Sequence, residues 1–389
     1  MTRDLRIISF SLLLWGLGEG LFIYLQPIYL NQLGANPLQI GWMLGLSSLA
    51  FTITHLPAGA LADIFGRKLI IVMAWLGGTL AGLIMFLAAS LPTFLIGLIM
   101  YSFTGFVLSP LQSYITYAKG SWTLTRALTT TQAFISVGSV IGPVVGGFLG
   151  EWFGLRMVYG IATGIFLLSS LLILPLHPQP VEESKEGPRY QGLFKNKKLG
   201  TFLLLAFFAL FAMYLSWPLT PVFLQEERGI SVGTLGLFGS LYSSGMVIFN
   251  LLLGRSNPRS GFLIAQISVG LSIVALWRGG NNLLFSLGYF LASGFRVTRS
   301  LISAQVETLV NRIELGLAFG FSETVNGTVM LIASPVAGML YNIGPELPFI
   351  VSLGLLIIAL VVSFRFTPRI DPARPISVAS EIVNEGKGG

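Results

Sequence analysis

Gly59-Ala60-Leu61-Ala62-Asp63-Ile64-Phe65-Gly66-Arg67-Lys68 is a short polar joint between two long apolar runs, 38–61 and 69–89. Runs of about 20 mostly apolar residues are what a helix needs to cross the hydrocarbon core of a bilayer. The joint carries one acid, two glycines and two adjacent bases. An aspartate at the end of a span can accept from the free N–H groups that open a neighbouring helix, or pair with the arginine beside it. Such a contact exists only while the two helix ends are together. Asp63 therefore has the character of a conformational latch.

Outward from that joint, apolar runs recur along the chain at roughly 7–31, 38–61, 69–89, 92–117, 127–150, 155–175, 199–223, 232–253, 260–277, 282–307, 315–341 and 346–366. Turn chemistry separates them, as at Asn36-Pro37, Pro258 and Gly279-Gly280-Asn281-Asn282. The composition agrees: 53% of the 389 residues are hydrophobic and only 10% charged, against about 25% charged in a soluble domain. Mean hydropathy is +0.79. The 46 glycines and 29 phenylalanines suit helices packed closely in lipid. The reading is an all-α integral membrane protein with twelve transmembrane helices in two six-helix, pseudo-symmetric bundles. The first bundle takes residues 1–176 and the second 199–367. A polar linker, 177–198, joins them, and a disordered tail follows from 368 to 389. The first apolar run is too long for the core of a cleavable signal, so it is expected to stay as a span.

Basic residues orient the chain. With both termini cytoplasmic, 18 of the 23 lysines and arginines fall on that side, from Arg3 and Arg6 through Arg67, Lys68 and Lys119 to Arg365. Only Arg156, Arg228 and Arg278 fall opposite, and Arg296 and Arg299 lie inside a span. This predicts a multi-pass protein of the plasma (inner) membrane. The net charge of +7 is then an inner-leaflet bias and calls for no nucleic-acid partner. There is no cysteine, and His55 and His177 are the only histidines, so no metal and no thiol chemistry is expected. The absence of a Gly-x4-Gly-Lys-Ser/Thr loop argues against ATP-driven work by this chain, and no cofactor is implied.

The two halves echo each other. Gly142-Pro143-Val-Val-Gly146 recurs 192 residues later as Ser334-Pro335-Val-Ala-Gly338, and Asn36–Gly41 resembles Ser231–Gly236 at an offset of 195. A near-constant offset of half the chain is the mark of duplication, and parallel repeats are common in transporters.

With these features in place, the joint 59–68 resembles the signature loop of the major facilitator superfamily, in its pattern Gly-x3-Asp-basic-x-Gly-Arg-basic. Gly59, Asp63, Gly66, Arg67 and Lys68 match it, and Ile64 departs from it. The resemblance implies that Asp63 meets the start of the eleventh helix near Gly316-Leu-Ala-Phe-Gly320. The corresponding loop in the second half, Gly254-Arg255-Ser-Asn257-Pro-Arg259, lacks the acid, so this latch is one-sided. Gly138, Gly142, Pro143, Gly146 and Gly147 match the antiporter motif of the same superfamily. There the glycine face packs against the other half and goes with export. The superfamily's Arg-x-x-Gln-Gly motif has no counterpart around Gly105–Pro110.

Ionisable groups inside a bilayer cost at least about 2.5 kcal/mol each and mark functional positions by default. Glu19 lies roughly 18 Å into the first run at about 1.5 Å per residue, among Gly16, Gly18 and Gly20. Glu323 lies about 12 Å into the eleventh run, and Arg296 and Arg299 share one face of the tenth. Arg299 and Glu323 match in depth and predict an ion pair. By the resemblance, the first, fourth, seventh and tenth helices line a central cavity, so Glu19 and Arg296 face each other across it. Glu19 is thus the expected proton carrier, with Glu323 a second proton-coupling candidate. Arg296, Arg299, Gln26, Tyr114, Tyr214 and Trp217 are the expected substrate contacts, with Tyr101, Gln112, Gln132 and Tyr242 as further lining positions. The expected function is alternating-access transport of a small amphipathic organic solute by a monomer, as proton-coupled export. An organic-anion carrier using Arg296 and Arg299, or a lipid or lysolipid flippase, is the alternative.

Overall fold

The computed structural model describes residues 1–179, 196–254, 256–310 and 315–367, with the side chains of 55–65 and 315–317 excepted. The expectations for Gly59, Asp63, His55, most of the linker and the tail lie outside the described residues. Everything described is helix, turn or loop, with no strand. The helices are α1 (Arg3–Phe22), α2 (Gln26–Gln32), α3 (Pro37–Phe65), α4 (Arg67–Leu87), α5 (Leu91–Phe103), α6 (Leu108–Ala118), α7 (Leu124–Phe153) and α8 (Leu155–Ile173). After the linker come α9 (Lys197–Tyr214), α10 (Thr220–Glu226), α11 (Val232–Leu253), α12 (Pro258–Arg278), α13 (Asn282–Ala292), α14 (Gly294–Glu307), α15 (Leu315–Ile343) and α16 (Leu347–Phe366). Among the described residues, ten helical segments are long and apolar enough to cross a membrane.

The helix ends follow from local chemistry. Thr2, Thr123, Asn196, Ser231, Asn257 and Asn281 each cap a helix with a side-chain oxygen that accepts a backbone N–H. Gly66 opens α4 at φ 85°, a left-handed conformation that costs little only for glycine. A Cβ there would meet nothing within 4 Å, so backbone conformation and not space explains glycine at this point of the motif.

Four of the predicted single runs are interrupted. The first breaks between Phe22 and Gln26, just ahead of Pro27, which brings no N–H to the ladder. The seventh breaks in the same manner at the 3-10 turn Trp217–Leu219, which holds Pro218 and lies just ahead of Pro221. The fourth tightens into a 3-10 turn at Thr104–Val107, and the tenth turns at Ser293 before Gly294. These are the same four runs that the family resemblance assigns to the cavity.

Helices meet through glycine. On α7, a Cβ at Gly142 would lie 2.6 Å from the Leu17 carbonyl, and one at Gly146 would strike the backbone of Leu21. Gly16 and Gly20 on α1 complete this contact from the other side. These glycines therefore serve helix packing and leave no room for substrate. The antiporter-motif face thus packs mainly on α1, in its own half, which corrects the expectation of a cross-half face. The cross-half part falls to Pro143 and Gly147, which meet Gly236 of α11. The duplicated counterpart is present: Ser334 and Pro335 of α15 meet Gly41 of α3, and Gly338 meets Pro37 and Leu38. The sequence echo is therefore a repeated packing motif.

Candidate functional site

A cavity of about 560 Å³ opens between the two halves, and a smaller chamber of about 390 Å³ adjoins it. Glu19, Gln26 and Arg296 line both. The larger chamber reaches toward the end of the molecule where α1 begins and α16 ends, past Leu12, Leu111 and Gly320. Among the described residues, every hydrogen bond joining residues 1–179 to 196–367 lies at mid-height or beyond, away from that end. These are Tyr24–Ser243 at 2.9 Å, Ser240 to the Val140 carbonyl at 2.6 Å, Asn31 to Glu226 at 2.6 Å, and Ser231 and Gly233 to Glu151.

The charged groups are arranged unequally. Arg299 Nε donates to Glu323 Oε1 at 2.6 Å, the pair predicted from matching depth. Glu19 has no ion-pair partner within 4 Å among the described residues; its charged neighbour is Arg296, across the cavity on α14, with Tyr101 beside it. Arg296 is flanked by Tyr24, Tyr214 and Tyr242 and also makes no ion pair. Among the described residues the site thus holds one closed ion pair, Arg299 with Glu323, and two groups outside any ion pair, the Glu19 carboxyl and the Arg296 guanidinium. Arg296 and Arg299 line the larger chamber together because the i, i+3 spacing puts them on one face of α14.

Aromatic rings form much of the remaining wall. Trp217 stacks on Tyr242 at 4.7 Å between centroids, and Tyr214 leans on Phe295 at 5.2 Å. Trp217 and Tyr214 line the smaller chamber, as does Gln132. Such walls hold the apolar body of an organic ligand while a few polar groups orient it.

Tyr114 is a correction. It does not line the cavity: its ring is wholly buried near the terminal end of α6, and its hydroxyl donates to Asp4 Oδ2 at 2.8 Å and the His177 carbonyl at 2.7 Å. His177 also bonds Asp4 through Nδ1 at 2.9 Å, so Tyr114 ties the start of the chain to the segment after α8. Gln112 faces away from the cavity as well and is exposed. Trp15 and Tyr24 are among the lining residues that were not anticipated. Trp15 stands one turn before Glu19 on the same face, so its spacing was a usable signal. Tyr24 lies past the break at Ile23, where helical periodicity no longer predicts direction.

Of the signature loop, Gly66, Arg67 and Lys68 are described. Arg67 places its guanidinium 4.4 Å from the Tyr117 ring centre, a cation–π contact with the end of α6.

Comparison with known proteins agrees with this architecture. The Major Facilitator Superfamily model matches residues 8–214 and 202–384. Quinolone resistance protein NorA of Staphylococcus aureus (strain MRSA252) is 21% identical over 378 residues, covering 93% of this chain and 96% of that protein. Multidrug resistance protein 1 of Bacillus subtilis (strain 168) is 24% identical over 374 residues, covering 89% and 91%. The crystal structure of nucleoside transporter NupG superposes with a TM-score of 0.77 at 16% identity, over 94% of this chain and 98% of that one. The chain is a multi-pass membrane transporter, not an enzyme, and belongs to the Major Facilitator Superfamily.

Proposed function

We propose that this chain is a twelve-span secondary active transporter that exports a small amphipathic organic solute in exchange for protons, by alternating access. The observation that carries the reading is Glu19. It is a carboxyl group on the cavity wall near mid-span, with no ion-pair partner among the described residues, while the second cavity carboxylate, Glu323, is committed to Arg299. A bare charge at that depth is costly. A proton on Glu19, or a compensating group on a bound solute, offsets the cost, and the two alternate in one space. That is the condition for exchange.

The span count adds α3 and the broken pair α13–α14 to the ten clear spans. The division into bundles at 1–176 and 199–367 is supported by the paired contacts α7 with α11 and α3 with α15. With the basic-rich terminal end facing the cytoplasm, as the positive-inside rule directs, the cavity opens inward in this structure. The transporter works as a monomer in the plasma membrane. Solutes of the drug-like kind named for NorA and Multidrug resistance protein 1 fit the aromatic walls.

A second reading rests on Arg296. Without an ion pair among the described residues and flanked by Tyr24, Tyr214 and Tyr242, it offers a seat for an anionic group, which favours an organic-anion carrier. The deciding experiment measures pH inside proteoliposomes holding the purified protein while anionic, neutral and cationic amphiphiles are applied. Solute-driven proton movement that disappears in Glu19→Gln supports exchange. Solute movement without protons defeats it. A response confined to anions and lost in Arg296→Gln favours the second reading.

A further inference from the structure

Glu151 stands in the last turn of α7, at the end of the molecule away from the start of α1 and the end of α16, and its carboxylate reaches α11. Oε2 accepts from the Gly233 backbone N–H at 2.7 Å and from the Ser231 hydroxyl at 3.0 Å. Both donors open α11: Ser231 is its N-cap, and Gly233 lies in its first turn. First-turn amides have no acceptor within their own helix and carry the positive end of the helix dipole. A carboxylate is therefore held there by charge as well as by hydrogen bonds. The first turn of α11 contains no acid of its own. The acid comes from the opposite half.

Glycine at 233 makes the seat. A Cβ there would run into the Glu151 carboxylate, while the next atom, Phe148 Cδ1, lies 3.4 Å away. The closest approach of the two helices is made by Gly147 against Gly236, with only the backbone carbonyl of position 233 beside it. On the same face, Asn31 of α2 donates to Glu226 of α10, again between halves. Ile343, 192 residues after Glu151, occupies the duplicated position on α15 and is apolar and exposed. The contact is thus one-sided, added to one half of a repeated frame.

We propose that Glu151 is a gate residue: its carboxylate latches α7 to the start of α11, holds the outer face shut, and lets go each time the cavity opens outward. The proposal rests on the alternating-access reading. It places on the outer face the same chemistry, acid against helix start, that the family resemblance implies for Asp63 on the inner face.

The chain has no native cysteine, which makes paired labelling clean. Spin labels at Ala89→Cys and Gly280→Cys, in outer loops of opposite halves, report outer opening of the full chain in nanodiscs by pulsed electron resonance. Labels at Ser121→Cys and Lys198→Cys report the inner face. Glu151→Ala is expected to raise the ratio of open to closed outer distances about two- to fivefold, with the inner distances shortening in step. Gly233→Ala keeps the acid and removes its seat, and should act in the same direction. Glu151→Gln keeps an acceptor and should fall between. Outer distances unchanged in both alanine variants, while acidification or a fluoroquinolone still moves the labels, would overturn the latch and leave alternating access standing. Labels that move under no condition, in parent or variant, would overturn both. If Glu151→Ala loses its fold, as judged by melting temperature, Gly233→Ala decides alone.

Discussion

Arg299 and Glu323 close on each other at 2.6 Å between α14 and α15, while Arg296, one turn earlier on α14 and opposite Glu19, makes no ion pair among the described residues. The two arginines share a helix face and a cavity but not a role. One is neutralised by its neighbour and the other is available to a ligand or to Glu19.

Breaking that pair from one side should cost stability, because the remaining charge keeps its place without its partner. The side chains are 41% and 26% exposed, so solvent screening limits the effect to about 1 kcal/mol. Glu323→Gln and Arg299→Gln should each lower the melting temperature in detergent, and the double variant should recover most of the loss. Additive losses in the double variant would show that the two residues act separately.

Glu19→Gln should bind solute within a few-fold of the parent, yet lose the acceleration of transport by a pH gradient by at least about tenfold. Equilibrium binding and gradient-driven flux, measured side by side, separate the two effects. Gradient-driven flux equal to the parent's would remove Glu19 from the coupling role.

Gly146→Leu should abolish assembly of the first half, since even a Cβ would strike the Leu21 backbone on α1. A loss above about 3 kcal/mol is expected, visible as failure to recover monodisperse protein. Gly354→Ala on α16 is the matched control. Its Cβ meets nothing within 4 Å, so helix propensity predicts unchanged or higher stability, by up to about 1 kcal/mol.

Tyr114→Phe removes one hydroxyl that serves both Asp4 and the His177 carbonyl. A stability loss of about 1 kcal/mol is expected, with solute affinity unchanged. A clear fall in affinity would return Tyr114 to the substrate contacts.

Much of the frame was legible in the chain itself. The apolar runs, the duplicated Pro143 and Pro335, and the turn residues between runs all express short-range rules: how many residues cross a bilayer, and where an N–H or a left-handed φ is needed. The same rules placed Glu19, Arg296, Arg299 and Glu323 at cavity depth, because depth follows from counting residues along a helix. They also placed the ion pair between Arg299 and Glu323, which needs only matched height on adjacent helices.

Direction around a helix was harder to read. Tyr114 is polar and aromatic like Tyr214, yet it is buried against Asp4 and His177, and nothing local distinguishes the two. Tyr24 was hidden by the break at Ile23, past which the 3.6-residue period no longer sets direction. The partner of the Gly138–Gly142–Gly146 face was likewise expected in the other half and found on α1, because a flat face accepts any close backbone and only packing selects which one. By itself the sequence determined the apolar runs, the Pro143 and Pro335 echo and how far along its helix each charge lies, which depend on counting along one chain. Tertiary structure alone decided which charges are paired, which rings meet the cavity and where Glu151 crosses to α11, since each depends on the rotation and approach of helices far apart in sequence.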